Sequence, residues 1–276
     1  MRLWYNQKII ETSTYLEIWE YEQPIFSSKK SDDETQNENQ NELFIQKKEK
    51  RKSFEEQTAD KQYEHLKRKQ KHYEQQRFHI ARLIDQNFDT QTKFLTLTFK
   101  ENLQDISTTN NHFKKFILRL NYQIFQSKKN QLKYLATWEK QKRGAIHYHL
   151  VLFSFPYIQG KRLTEIWGHG FIKINKIDVD SIANRGRYLS KYFAKDLEMK
   201  EHKKKAFFKS RNLQLPKETK SRSQTPYDTT GKEILYQKTY TRKTLDFSMN
   251  HEDEQDLPFV ESEVKYTKIK KSLLES

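Results

Sequence analysis

Ten consecutive residues, Gly144-Ala-Ile-His-Tyr-His-Leu-Val-Leu-Phe153, leave this chain the fewest choices. The branched and aromatic side chains around the two histidines read as a buried β-strand. Side chains on a strand alternate between its faces, so residues two apart project the same way. His147 and His149 therefore leave one face of a sheet together, as two ligands of one metal ion would. Alone, the pattern equally suits two half-buried histidines with ordinary hydrogen bonds.

The preceding segment adds a third donor. Leu132-Lys-Tyr-Leu-Ala-Thr-Trp-Glu139 alternates like a second strand, and Lys140-Gln-Lys-Arg-Gly144 reads as the turn between them. A hairpin pairing Glu139 with His147 sets Thr137 opposite His149 and puts Glu139 on the histidine face, because opposed residues share a face. One carboxylate and two imidazoles make a three-ligand site with open positions, suited to Mn²⁺ or Mg²⁺ while a phosphate oxygen completes the shell. A solvated strand end is the plainer reading of Glu139 by itself.

Charge points to the partner. A formal net charge of +15 and a pI near 9.5 favour a polyanion, most simply nucleic acid. Cysteine is absent, which excludes disulfides and thiolate metal sites and fits a reducing compartment. No apolar run is long enough to span a bilayer, and no signal-peptide core opens the chain. These features predict a soluble, cytoplasmic protein with no membrane partner.

The expected architecture is α+β, a central antiparallel sheet flanked by helices, with a long charged helix towards the amino terminus. Residues 1–26 read as a strand pair ended by Pro24, and residues 27–45 as a flexible polar linker. Residues 46–87 lack Gly and Pro and carry Tyr63, Leu66, Tyr73, Ile80 and Ile84 at helical spacing, which predicts one long helix with an apolar stripe. Its many cations could meet DNA, although a solvated face explains them as well. Lys93–Phe99 alternates as a strand. Phe113, Phe116, Ile117, Leu120 and Ile124 predict an amphipathic helix with Asn110 or Asn111 near its cap. A short helical piece ends at Trp167, His169 reads as a turn residue between two glycines, and a strand follows over 171–177. Residues 216–276 show no sustained periodicity beyond a possible strand at Ile234–Tyr236, and read as a partly flexible extension.

A second constellation follows residue 180. Tyr188, Lys191, Tyr192 and Lys195 stand at i, i+3, i+4 and i+7 of an expected helix and share one face. A phenol with a pKa of about 10 needs help to become a nucleophile. Neighbouring ammonium groups would stabilise phenolate and the charge developing on a phosphate. Without further context, an exposed amphipathic helix explains the pattern better. Beyond it, Lys203, Lys204, Lys205, Lys209 and Arg211 interleave with Phe207 and Phe208, the composition of a single-strand binding surface.

Taken in order, these pieces resemble the HUH endonuclease superfamily, specifically rolling-circle replication initiators of plasmids and single-stranded phages. Phe94-Leu-Thr-Leu-Thr-Phe99 looks like their first motif, His147-Tyr148-His149 like the second with Glu139 as its acidic companion, and Tyr188-Leu-Ser-Lys191 like the third. Tyr192 extends the last into a form with two tyrosines. The resemblance covers residues 88–215 and implies a metal-dependent endonuclease core that nicks and rejoins single-stranded origin DNA. The implied intermediate is a 5′-phosphotyrosine that leaves a free 3′-hydroxyl for a polymerase. Gly160-Lys-Arg and Gly231-Lys-Glu do not form a P-loop, so unwinding would need a separate helicase. A conjugative relaxase would share this chemistry, but usually with its tyrosine near the amino terminus. A regulator with a degenerate site would lack the full set of Glu139, both histidines, Tyr188 and Lys191.

Overall fold

A computed structural model describes residues 4–26, 58–177, 207–245 and 259–271. Among these residues the fold is α+β, with two antiparallel five-stranded sheets and three helices. The chain divides into two compact units, one of residues 65–216 and the other of residues 1–64 with 217–276. No helix among the described residues is long and apolar enough to cross a membrane.

The unit of residues 65–216 is built on a sheet of β3 (Lys93–Phe99), β4 (Lys133–Lys140), β5 (Ile146–Phe153), β6 (Gly170–Lys176) and β7 (Phe208–Lys209), in the order β6-β3-β5-β4-β7. All eight residues of β5 are buried, as expected for the middle strand of a sheet covered on both faces. One face packs on α2 (Ile106–Phe125) and α3 (Gly160–Trp167). There Tyr148, Leu150 and Leu152 of β5 meet Phe113, Phe116 and Leu120 of α2 and Leu163 and Trp167 of α3. Each such side chain, fully buried, contributes about 1.5–3 kcal/mol. The other face is covered at one end by α1 (Ala59–Asn87), where Ile80, Leu83 and Ile84 pack on Phe94, Leu135, Val151 and Phe153.

The helices show where sequence patterns stop short. Among the described residues the first element is a strand, not a helix, and the charged helix is described from Ala59 onward; the expected linker over 27–45 and positions 46–57 lie outside the described residues. Its stripe is only half used, because Tyr63 and Leu66 are exposed while Ile80 and Ile84 are fully buried. Helix α2 begins earlier than expected. Asp105 caps it, its Oδ2 accepting from Thr108 N (2.7 Å), and Asn110 lies inside the helix, where its Oδ1 accepts from Tyr148 OH (2.7 Å). Arg119 of α2 donates to the carbonyls of Ile166 (3.0 Å) and Trp167 (3.1 Å), satisfying the open end of α3.

Asn121 closes the connection into β4. Its Oδ1 accepts from Gln131 N (2.8 Å) and Leu132 N (3.0 Å), while Nδ2 donates to Ser127 O (2.9 Å) and Lys129 O (3.0 Å). At the far edge, Gly170 has φ 153°, and a Cβ there would lie 2.3 Å from Thr98 O. Only glycine lets β6 lie this close to β3.

The second unit holds a sheet of β1 (Trp4–Glu11), β2 (Tyr15–Phe26), β8 (Lys217–Ser221), β9 (Ile234–Leu245) and β10 (Phe259–Lys270), in the order β8-β1-β2-β10-β9. The expected amino-terminal pair is present, but Pro24 does not end it. β2 continues to Phe26 through a register shift between Tyr5 and Gln7 of β1, and Pro24 falls in the interrupted stretch, where no ladder N–H is needed. Residues 217–270, whose sequence carries no sustained period, supply three strands of this sheet.

Candidate metal centre

Strand pairing brings the three donors together. In the β4–β5 hairpin Glu139 is opposite His147 and Thr137 is opposite His149, so all four side chains share a face. The turn is held by Gln141 N donating to Ala145 O (2.8 Å) and Gly144 N to Gln141 O (2.8 Å), with Gly144 at φ 87°. A positive φ there is the reason for glycine. Arg143 Nη2 ties the turn to the end of β3 by donating to Phe99 O (2.9 Å).

The imidazoles converge on one carboxylate oxygen. His147 Nε2 hydrogen-bonds to Glu139 Oε1, and His149 Nε2 lies 3.1 Å from the same atom. The ring centroids of the two histidines are 4.7 Å apart, and one ligand atom from each of the three residues lies within 4.8 Å of the others. Two ligands held at about 2.0–2.1 Å on adjacent positions of an octahedral ion are about 3 Å apart. The donor set fits a divalent ion.

Neighbouring groups hold the rings from behind. Thr96, directly opposite His149 on β3, places its Oγ1 3.1 Å from His149 Nδ1. Phe94 stacks on the same imidazole at 5.6 Å and 13°. Gln141 Nε2 lies 3.4 Å from His147 Nδ1, and its Oε1 accepts from Arg143 Nε (3.1 Å). Thr96 Oγ1 can accept the proton on His149 Nδ1, which turns His149 Nε2 towards the ligand position. The Gln141 amide nitrogen can only donate to His147 Nδ1, so it steadies that ring without setting the same tautomer. The histidines are only 9% and 8% exposed, so they sit deeper than a strand surface. One end of their face is closed by Ile80, Leu83 and Ile84, and this burial limits water at the site.

Tyr148, between the two histidines, points to the opposite face and is fully buried against Phe113, with stacked rings 4.6 Å apart. Burial pushes its phenol pKa up, so it is core and not a nucleophile. His169 is likewise no ligand of this group; its ring lies 4.0 Å from that of His112 and 5.2 Å from that of Trp167. Tyr188, Lys191, Tyr192 and Lys195 lie outside the described residues, as do Lys203, Lys204 and Lys205. Lys209 and Arg211 are exposed, Lys209 on the short edge strand β7 beside β4. Sequence reasoning missed Thr96 and Gln141. Thr96 stands in an alternating strand that the sequence announces, but its partner becomes visible only once β3 is placed beside β5.

Residues 92–197 match the family model for replication-associated proteins of the ORF2 type, in keeping with the motifs' resemblance to rolling-circle replication proteins. The matched segment contains Glu139, His147 and His149 and extends over Tyr188, Lys191 and Tyr192. No curated protein and no solved structure shows a significant match to the chain.

Proposed function

We propose that residues 88–215 form a metal-dependent, site-specific single-strand DNA endonuclease and strand transferase that initiates rolling-circle replication. The observation that carries this reading is the convergence of Glu139, His147 and His149 on one sheet face, inside a segment matched by a replication-associated family. Two imidazoles and one carboxylate with open positions would hold Mn²⁺ or Mg²⁺. Bound there, either ion would polarise a non-bridging oxygen of the scissile phosphate.

Tyr188 then supplies the nucleophile, with Lys191 stabilising its phenolate. Its oxygen forms a bond to phosphorus and the bond to the 3′ oxygen breaks. The DNA 5′ end stays on the protein as a phosphotyrosine, and the released 3′ oxygen takes up a proton and becomes a primer. Tyr192, four residues further along the chain, accepts a second strand while the first is still attached. Lys195, Lys203, Lys204, Lys205, Lys209 and Arg211 bind the flanking phosphates. The partners are origin DNA, a separate helicase and a polymerase.

The test is incubation of the protein with Mn²⁺ and single-stranded oligonucleotides from candidate origins, followed by denaturing gels and peptide mapping. The expected result is a covalent adduct at Tyr188 that disappears in Tyr188→Phe, His147→Ala and His149→Ala, while Tyr192→Phe loses only the second transfer. An adduct that needs no divalent ion, or one mapped outside 188–192, overturns the assignment.

A further inference from the structure

The sheet of β1, β2, β8, β9 and β10 has one face on which aromatic rings and cations alternate. Along the edge strand β9, Tyr236, Lys238, Tyr240 and Arg242 occupy every second position and project from that face. Their partners on β10 are Lys268, Tyr266, Val264 and Ser262. The next strand places Trp19 beside Tyr266 and Tyr21 beside Val264. Beyond it, Lys8 stands opposite Trp19, and Lys220 opposite Lys8.

The rings form a continuous row across three strands. Centroids of Tyr236 and Tyr266 are 6.0 Å apart, and those of Tyr266 and Trp19 are 4.9 Å apart. Lys8 Nζ lies 5.5 Å above the Trp19 ring. A second group beside this row joins Tyr21 to Tyr5 at 5.8 Å, with Lys220 Nζ 5.2 Å from the Tyr5 ring. The row opens to solvent at β9, where Tyr236 is 53% and Tyr240 39% exposed.

Cross-strand aromatic pairs stabilise sheets in general, and half-buried Trp19 and Tyr266 serve that purpose here. Lysine and arginine on an edge strand also protect it from pairing with other chains. Neither purpose calls for exposed tyrosines between the cations, since they add apolar surface to an edge. Charge on this face is one-sided. Among the described residues, Lys8, Lys220, Lys238, Arg242, Lys268 and Lys270 are its cations and Glu17 and Glu218 its carboxylates, and Lys270 is paired with Glu233 (2.8 Å). Glu17 accepts from Tyr266 OH (2.6 Å), and Glu218 is paired with both Lys8 (3.2 Å) and Lys220 (3.1 Å).

The geometry points to a second nucleic-acid site: this face binds single-stranded DNA without sequence preference, stacking bases on Tyr236, Tyr240 and the Tyr266–Trp19 row while Lys238 and Arg242 meet phosphates. The choice of DNA rests on the replication-associated match; the stacking and charge arguments do not. Such a site belongs to the unit of residues 1–64 with 217–276, whereas the metal centre belongs to that of residues 65–216.

The experiment keeps EDTA present throughout and uses the full-length protein. A 5-iodouracil-substituted oligothymidine is cross-linked by light and the modified peptides are mapped. Adducts at Trp19, Tyr236, Tyr240 or Tyr266 are expected; adducts confined to residues 65–216, or none, overturn the proposal. Anisotropy titrations then compare variants whose melting is first shown to match the parent. Tyr236→Ala with Tyr240→Ala should weaken oligothymidine binding at least about fivefold. Lys238→Gln with Arg242→Gln should make the slope of log affinity against log salt shallower by about 1.4, or about 0.7 per lost phosphate contact. Unchanged affinity and slope, or tighter binding of oligouridylate than of oligothymidine through these residues, overturn it. Because no divalent ion is present, a protein that never nicks still reports on this face, and a nicking protein without these cross-links refutes this inference alone.

Discussion

Replacing Thr96 with valine tests whether His149 is held as a metal ligand. Thr96 Oγ1 lies 3.1 Å from His149 Nδ1, and the two residues face each other across β3 and β5. For Nε2 to offer its lone pair to an ion, Nδ1 must carry the proton, and the threonine oxygen accepts it. Valine has nearly the same shape but no acceptor, so the imidazole loses both its preferred tautomer and one restraint on its rotation. Losing an outer partner of a metal-bound histidine typically weakens metal binding about 10- to 100-fold. That corresponds to about 1.4–2.7 kcal/mol, in line with the roughly 1.5–3 kcal/mol of a hydrogen bond to a charged group. Stability without metal should fall far less, by about 0.5–1.5 kcal/mol for one neutral hydrogen bond. Calorimetric titration with Mn²⁺ on parent and variant, paired with urea melts in EDTA, separates the two effects. Unchanged Mn²⁺ affinity in a folded variant would refute the proposed support of His149. So would an affinity loss no larger than the loss of metal-free stability.

Asn121→Ala removes four hydrogen bonds to backbone at the entrance to β4, and should destabilise the unit of residues 65–216 by about 2–4 kcal/mol, read as a lower urea midpoint. Gly170→Ala should separate β6 from β3, because its Cβ would sit 2.3 Å from Thr98 O; hydrogen exchange of the β3 amides should rise, and unchanged protection would contradict the close approach. His79 supplies a pH dependence. Burial, then the charges of Lys209 and Arg82, hold its imidazole pKa below the ordinary 6.5, so its contribution is intact above that value and is lost as pH falls through the folded pKa. His79→Gln should therefore lose less stability than the parent between about pH 7.5 and 5.5, and equal losses would show that His79 is not the group responsible.

Legible in the amino-acid sequence are the parts whose partners lie close by along the chain. Alternation over Lys93–Phe99 and Ile146–Phe153 marks strands, and a short turn sets the register that places Glu139 opposite His147. A period of two leaves only two facings for a strand, and the apolar run chooses between them. The stripe from Phe113 to Leu120 likewise announces α2, though Asp105, not Asn110, caps it, because the buried Tyr148 hydroxyl claims Asn110. Only the folded chain reveals that Thr96 stands behind His149, that Ile80–Ile84 closes one end of the metal face, and that β8 and β10 join strands more than two hundred residues earlier. The physical reason is the same in each case. Periodicity reports the environment of a residue's own segment, whereas these contacts join segments far apart in sequence. On β9 even that signal is missing, since Tyr236, Lys238, Tyr240 and Arg242 on one face and Gln237, Thr239, Thr241 and Lys243 on the other offer no apolar contrast for a period of two to mark.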